Sequence, residues 1–326
     1  MKTAEKKSGG FAAVKRWMND HSIIYAVVVL AVVMSFVSDK FMTLDNVMNI
    51  FRQTSMVAIV AIGAFYTIVG GGIDLSNSSI AGFAGIVFAM ACVNWGLNPI
   101  IAVVLALIAG GLMGGINGAV IAYGGVPPFI ATLGMQIAGR GLCFVTTNAY
   151  PITGLPASIN FIGRGYIGKL IPVPVVITII VFLIMGFVAQ KTRYGRSVFA
   201  VGSNTDGAHF SGINTKRIKA GTYLISGLMA AVAAIILTSR VASGQPNGGL
   251  GWETDAITAA AIGGVSMAGG KGNLIGVFFG ALFVGMLTNV MTLMDMNSYY
   301  QQIVEGIVLV FAIYVDVFRT KKANKA

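Results

Sequence analysis

The chain has 326 residues, 56% of them hydrophobic and only 10% charged. Soluble domains carry about 25% charged residues, so an ordinary water-soluble enzyme and a disordered chain are both excluded. The 22 Lys and Arg against 11 Asp and Glu leave a net charge of +11, which in so apolar a chain reads as membrane topology rather than a nucleic-acid footprint.

A helix needs about 20 apolar residues to cross the hydrocarbon core. Residues 1–20 are basic, with Lys2, Lys6, Lys7, Lys15 and Arg16. The run 23–37 has no A-x-A cleavage site after it and is followed by many more apolar runs, so it reads as an uncleaved first span. Residues 41–51 are polar enough to sit in the interface. Further spans are predicted at 56–70, 79–95, 99–121, 129–147, 172–189, 220–238, 273–291 and 302–318, nine with the first. Segment 255–267 is too short to cross alone by length.

Charge decides the count. Residues 1–20, 191–219 and 319–325 hold 15 of the 22 Lys and Arg. The positive-inside rule places all three clusters in the cytoplasm. Six crossings separate the first two clusters; the last two need four, so the short segment supplies the tenth. The expectation is an all-α polytopic membrane protein of about ten transmembrane helices. It divides into a cytoplasmic segment 1–21, a transmembrane domain 22–318 broken by a cytoplasmic loop at 190–219, and a cytoplasmic tail 319–326.

Ten spans split into five plus five, and an odd number per half makes any repeat inverted. Asn117 and Asn289 stand 172 residues apart in similar Gly-rich contexts. Gly110, Gly114 and Gly118, and again Gly272, Gly276 and Gly280, recur at i+4. Such faces let helix backbones approach closely, either inside one bundle or across a dimer seam.

Several polar motifs interrupt the apolar runs. Residues 70–79 (Gly-Gly-Gly-Ile-Asp-Leu-Ser-Asn-Ser-Ser) place Asp74 beside the membrane. An ionisable group there faces a cavity or a partner, and Asp74 or Ser76 can also cap the next helix. After Pro127 and Pro128, which break one helix and start another, Phe129, Thr132 and Gln136 fall at helical spacing. That stripe lines a substrate path or makes an interhelical contact. Residues 240–255 form a Gly- and Pro-shaped outer loop. In it Glu253 and Asp255 either dock a partner or, with Thr254, cap the short helix. In the loop at 190–219, Asn204 or Thr205 can cap a short helix that ends at Gly212. That element suits docking by a cytosolic protein, though a plain basic loop has the same composition.

Cys92 and Cys143 lie in apolar runs and read as small buried hydrophobes. His21 and His209 are isolated, and no cluster has metal-ligand spacing. The stretch 264–272 lacks Walker-loop spacing and a hydroxyl after Lys271, so any ATP is bound by another chain.

The residues together resemble the permease subunits of bacterial ABC importers for monosaccharides, the ribose-, xylose- and galactoside-type family. The resemblance runs from about residue 40 to 318 and rests on Gly71, Gly72, Ile73, Asp74, Leu75 and Ser76; Asn117-Gly118; and Pro128 to Gly134. It continues in Thr192 to Arg196, Ser211-Gly212-Ile213, Glu253 to Ile257, and Gly263 to Ser266 with Gly269 to Gly272. It implies two permease chains, alike or different, over two ABC ATPase subunits that use ATP and Mg, below a periplasmic or lipid-anchored sugar-binding protein. This chain would itself carry no catalysis, no cofactor and no high-affinity site.

The resemblance makes the loop after the sixth span a coupling helix, with Asn204, Asp206, Ala208, Ser211, Gly212 and Ile213 as its contact residues. Asp74, Ser76, Asn117, Phe129, Thr132, Gln136 and Asn289 become candidates for the translocation path, and Gln245, Glu253 and Asp255 for binding-protein docking. The rivals are an ion-gradient transporter, which would need carboxylates near the midplane, and a passive channel. Asp74, Asp255 and Glu305 are the acids near spans, and each sits toward an end.

Overall fold

The computed structural model describes residues 22–168 and 170–323. The basic segment 1–21, with His21, and the last three residues lie outside the described residues. The helices are α1 (Ser22–Val37), α2 (Leu44–Val69), α3 (Asn77–Val93), α4 (Pro99–Ala122), α5 (Pro128–Thr147), short α6 (Asn160–Arg164), α7 (Val173–Lys191), α8 (Arg193–Ser203), α9 (Thr205–Phe210), α10 (Thr215–Val241), α11 (Trp252–Ile262), α12 (Leu274–Leu293) and α13 (Ser298–Ala323). Two small ribbons qualify the all-α expectation. Strand β1 (Ile152–Thr153) pairs antiparallel with β4 (Ser243–Gly244), and β2 (Tyr166–Ile167) with β3 (Ile171–Pro172).

Seven helices among the described residues are long and apolar enough to cross a membrane: α2, α4, α5, α7, α10, α12 and the Ser298–Val315 part of α13. The expected first and third spans correspond to shorter apolar helices, Ile23–Val37 and Asn77–Val93. The expected tenth crossing is the 11-residue α11 followed by non-helical backbone to Asn273.

Local chemistry sets the helix starts. The Asn98 side chain accepts from Ile100 N–H at 2.9 Å with Pro99 at the first position of α4. Asn214 caps α10 and Asn273 caps α12 in the same way, each at 3.0 Å, satisfying amide groups that a helix start leaves open. Helix α2 begins twelve residues before the expected span at 56–70. The polar run at 41–51 continues into it because Asn46 and Asn49 find partners on α12 and α10.

Helices α2 and α10 form the centre. From Thr54 to Val69 every residue of α2 is buried, as expected of a helix apolar on all sides. Helix α10 packs on α4 through the small-residue face. A Cβ at Gly110 would lie 2.6 Å from the Gly227 carbonyl oxygen, and one at Gly118 2.5 Å from that of Ala220. Gly276 and Gly280 of α12 meet the backbone at Gly263 and Ala259 in the same manner. Both glycine faces are therefore seams within one bundle. Helix α1 leans on α12 through Ile23, Val27, Met286 and Val290.

The second half echoes the first. Helices α10, α11, α12 and α13 begin between 170 and 175 residues after α2, α3, α4 and α5. Neighbours follow suit. Helix α10 packs on α4 and α3 as α2 packs on α12 and α11, and α3 touches α5 as α11 touches α13.

The connections gather at two ends. At one end Gly270 N–H donates to the Val69 carbonyl at 2.9 Å, and the Ser203 hydroxyl to the Gly270 carbonyl at 3.4 Å. At the other end Arg140 donates to the Pro246 carbonyl at 2.7 Å, and Gly163 N–H to the Ser239 hydroxyl at 2.8 Å.

Candidate functional site

Three groups of residues stand out: a buried polar nest, an exposed helical platform at the same end, and a cavity at the far end.

The nest forms where α3 begins. Asp74 is 1% exposed, and its Oδ1 accepts from Ser76 N–H at 2.9 Å and from the Ser76 hydroxyl at 2.5 Å. A carboxylate beside the first amides of a helix also gains from the helix dipole. The Asn117 amide donates to Ser76 Oγ at 2.8 Å, so α4 is tied to the α3 start. Gln136 of α5 accepts from Ser79 N–H at 3.1 Å and donates to Ser78 Oγ at 2.7 Å. Ser226 of α10 donates to Asn77 Oδ1 at 2.8 Å. Within the nest, two buried atoms have no hydrogen-bond partner among the described residues, Asp74 Oδ2 and the Tyr223 hydroxyl. Gly72 leaves room for that hydroxyl, because a Cβ there would strike it.

Of the expected path residues, Asp74, Ser76, Asn117 and Gln136 join this one network. Thr132 is buried beside it and turns its hydroxyl to the Pro128 carbonyl at 2.9 Å. Phe129 is 54% exposed, so the expected stripe on α5 is split between two faces. Asn289 sits elsewhere and exchanges a pair of amide hydrogen bonds with Asn46, at 3.0 and 2.9 Å. Asn77, Ser78, Ser79, Ser226 and Tyr223 complete the nest and were not among the expected residues. The first three were visible in the motif, whereas Ser226 and Tyr223 lie in an apolar helix with no local signal.

The platform is α8 and α9. Val198 and Val201 anchor α8 from below. The Asn204 side chain accepts from Gly207 N–H at 2.8 Å and starts α9, and Gly212 ends it with φ 82°. Gly212 N–H donates to the His209 carbonyl and Ile213 N–H to that of Ala208, a closure that needs a left-handed residue. Ala208 is buried, Ile213 is half-buried, and Asn204, Asp206, Ser211 and Gly212 are exposed. Phe210, absent from the expected set, is 88% exposed at the tip.

At the far end the 245–250 loop covers a cavity of about 420 Å³ bounded by α2, α10, α11 and α12. Gln245 and Asp255 line it, while Glu253 does not. The expected cap by Thr254 or Asp255 is replaced by Gly251 at φ 87°. The Thr254 hydroxyl instead donates to the Gly251 carbonyl at 2.7 Å, and Asp255 turns into the cavity. Cys92 and Cys143 are buried and free.

The profile of a permease family, described as branched-chain amino acid transport system / permease component, matches residues 46–313. The chain belongs to this family. The permease is 40% identical over 317 residues to the ribose import permease protein RbsC of Escherichia coli K12, covering 96% of this chain and 98% of that one. It is 39% identical over 290 residues to the Bacillus subtilis RbsC, covering 88% and 89%. It is 34% identical over 315 residues to the D-allose transport system permease protein AlsC of Escherichia coli K12, covering 96% and 95%. No solved structure matches the permease.

Proposed function

We propose that this permease is the membrane subunit of an ATP-driven ABC importer that passes a monosaccharide into the cytoplasm. The observation that carries the reading is the 40% identity to a ribose import permease along nearly the whole of both chains. The family description gives a second reading, a branched-chain amino acid. Full-length likeness to permeases for ribose, allose and xylose favours the sugar.

The membrane is the bacterial inner membrane. Ten crossings in an inverted five-plus-five arrangement are supported by the recurring helix starts and neighbour pairs. Three basic clusters favour both termini and the α8–α9 platform on the cytoplasmic side. The platform receives a separate ABC ATPase subunit, which binds ATP with Mg, so this chain performs transport without catalysis or a cofactor of its own. The opposite end, with Gln245, Glu253 and Asp255, receives a periplasmic or lipid-anchored sugar-binding protein. A second permease chain, a copy or a homologue, completes the pore.

The nest about Asp74 joins α3, α4, α5 and α10 at the platform end, a place from which motion below can reach the path. Gate movement requires the ATPase to bind two permease states with different affinity. Reconstituted vesicles test the reading. Sugar uptake that needs both the binding protein outside and ATP inside is expected. Uptake that survives without ATP and collapses with an ionophore would instead mean an ion-coupled carrier, downhill flux without either a channel, and leucine uptake an amino-acid importer.

A further inference from the structure

The cavity under the 245–250 loop has a chemistry that docking at its rim does not use. Its volume, about 420 Å³, lies at the small-molecule end of ligand pockets, which run from about 300 to 1,000 Å³. Its polar groups are spread over every wall. Gln53 comes from α2, Arg240 from α10, Asn247 from the loop, Trp252 and Asp255 from α11, and Thr288 from α12. Amide and hydroxyl groups both donate and accept.

Arg240 and Asp255 stand on different walls, and no described residue bridges them. Arg240 gives one N–H to Asn49 at 3.2 Å. Among the described residues no donor satisfies the Asp255 carboxylate. Both side chains keep hydrogen-bonding capacity open to the cavity, so polar matter between the walls is favoured. The Trp252 indole adds a flat apolar face beside these groups.

A ligand matched to such walls carries hydroxyls around its whole perimeter and presents C–H groups on one face. An aliphatic amino acid has its polar groups at one end only. The roof is held in shape, since Arg140 donates to the Pro246 and Gly248 carbonyls at 2.7 and 3.2 Å. A pre-formed lid of this kind lowers the cost of binding.

From this arrangement we infer that the cavity is a transient monosaccharide subsite, where sugar rests after leaving the binding protein and before entering the path. The inference rests on the proposed sugar import. Gln53, Asn247 and Thr288 hold ring hydroxyls, Arg240 and Asp255 grip them from two sides, and Trp252 stacks on the ring. Binding is weak, as handover requires.

The chain has three tryptophans. Trp17→Phe with Trp95→Phe leaves Trp252 as the sole reporter in the full-length permease in lipid nanodiscs. Titration with D-ribose, D-allose, D-xylose and L-leucine is expected to give a saturable change of Trp252 emission with at least one sugar and none with leucine. Gln53→Ala and Asn247→Ala should each weaken that sugar by roughly fivefold, the worth of one hydrogen bond. A flat response to all three sugars overturns the subsite, as does a leucine response or a sugar response that neither substitution changes. Uptake by the same protein in its reconstituted complex separates the two readings. Sugar import with flat emission rejects the subsite and keeps the function, whereas a Trp252 response without import does the reverse.

Discussion

Gly72 and Tyr223 make a pair whose fit can be measured. A Cβ at residue 72 would strike the Tyr223 hydroxyl, yet would lie 3.3 Å from its ring carbon Cζ. Gly72→Ala should therefore cost about 1–3 kcal/mol of stability by overpacking. Tyr223→Phe alone should be neutral or slightly stabilising, because the buried hydroxyl it removes has no partner. The double variant should recover most of the loss, read as Tm in detergent; a Tm as low as that of Gly72→Ala would contradict the contact. The Asp74–Ser76 turn was legible because its partners are two residues apart. The Ser226–Asn77 bond spans 149 residues of sequence, and nothing local to either residue announces it. Asn289 was read as the counterpart of Asn117 and a path residue, while its partner, Asn46, lay in a run read as interfacial.

At the scale of elements, the caps of α9 were well read, whereas Ser76 makes no side-chain cap bond at α3 and Gly251 stands where Thr254 or Asp255 was expected at α11. Asn204 and Gly212 bound α9 as the sequence suggested, because capping is decided within a single turn. The length of α2 was under-read, since a hydropathy window cannot see that Asn46 and Asn49 point to neighbours. The glycine faces left open a choice between a bundle and a dimer, and only tertiary packing resolves it. Gly114 should tolerate no side chain. A Cβ there would collide with the Tyr223 carbonyl and reach Gly227 Cα at 3.0 Å, so Gly114→Ala should cost about 3 kcal/mol. Gly141 meets nothing within 4 Å, so Gly141→Ala should be neutral or stabilise by up to about 1 kcal/mol. Equal thermal shifts in the two variants would argue against the α4–α10 seam.

For the whole molecule, the multi-pass helical architecture was legible from composition, since a chain with 10% charged residues and recurring apolar runs must satisfy its backbone in membrane-spanning helices. The far-end cavity was not legible, because its walls come from four helices and a loop scattered between Gln53 and Thr288. The two ends are linked by α2 and α10, which run from the nest to the cavity; a rigid central pair suits motion imposed at one end and felt at the other. The decisive measurement is ATP hydrolysis and sugar uptake in the same vesicles for Gly212→Asp combined with Ile213→Asp. The account predicts normal membrane insertion, more than tenfold slower uptake, and hydrolysis that no longer responds to the loaded binding protein. Uptake at the unmodified rate, with hydrolysis still responsive, would contradict it.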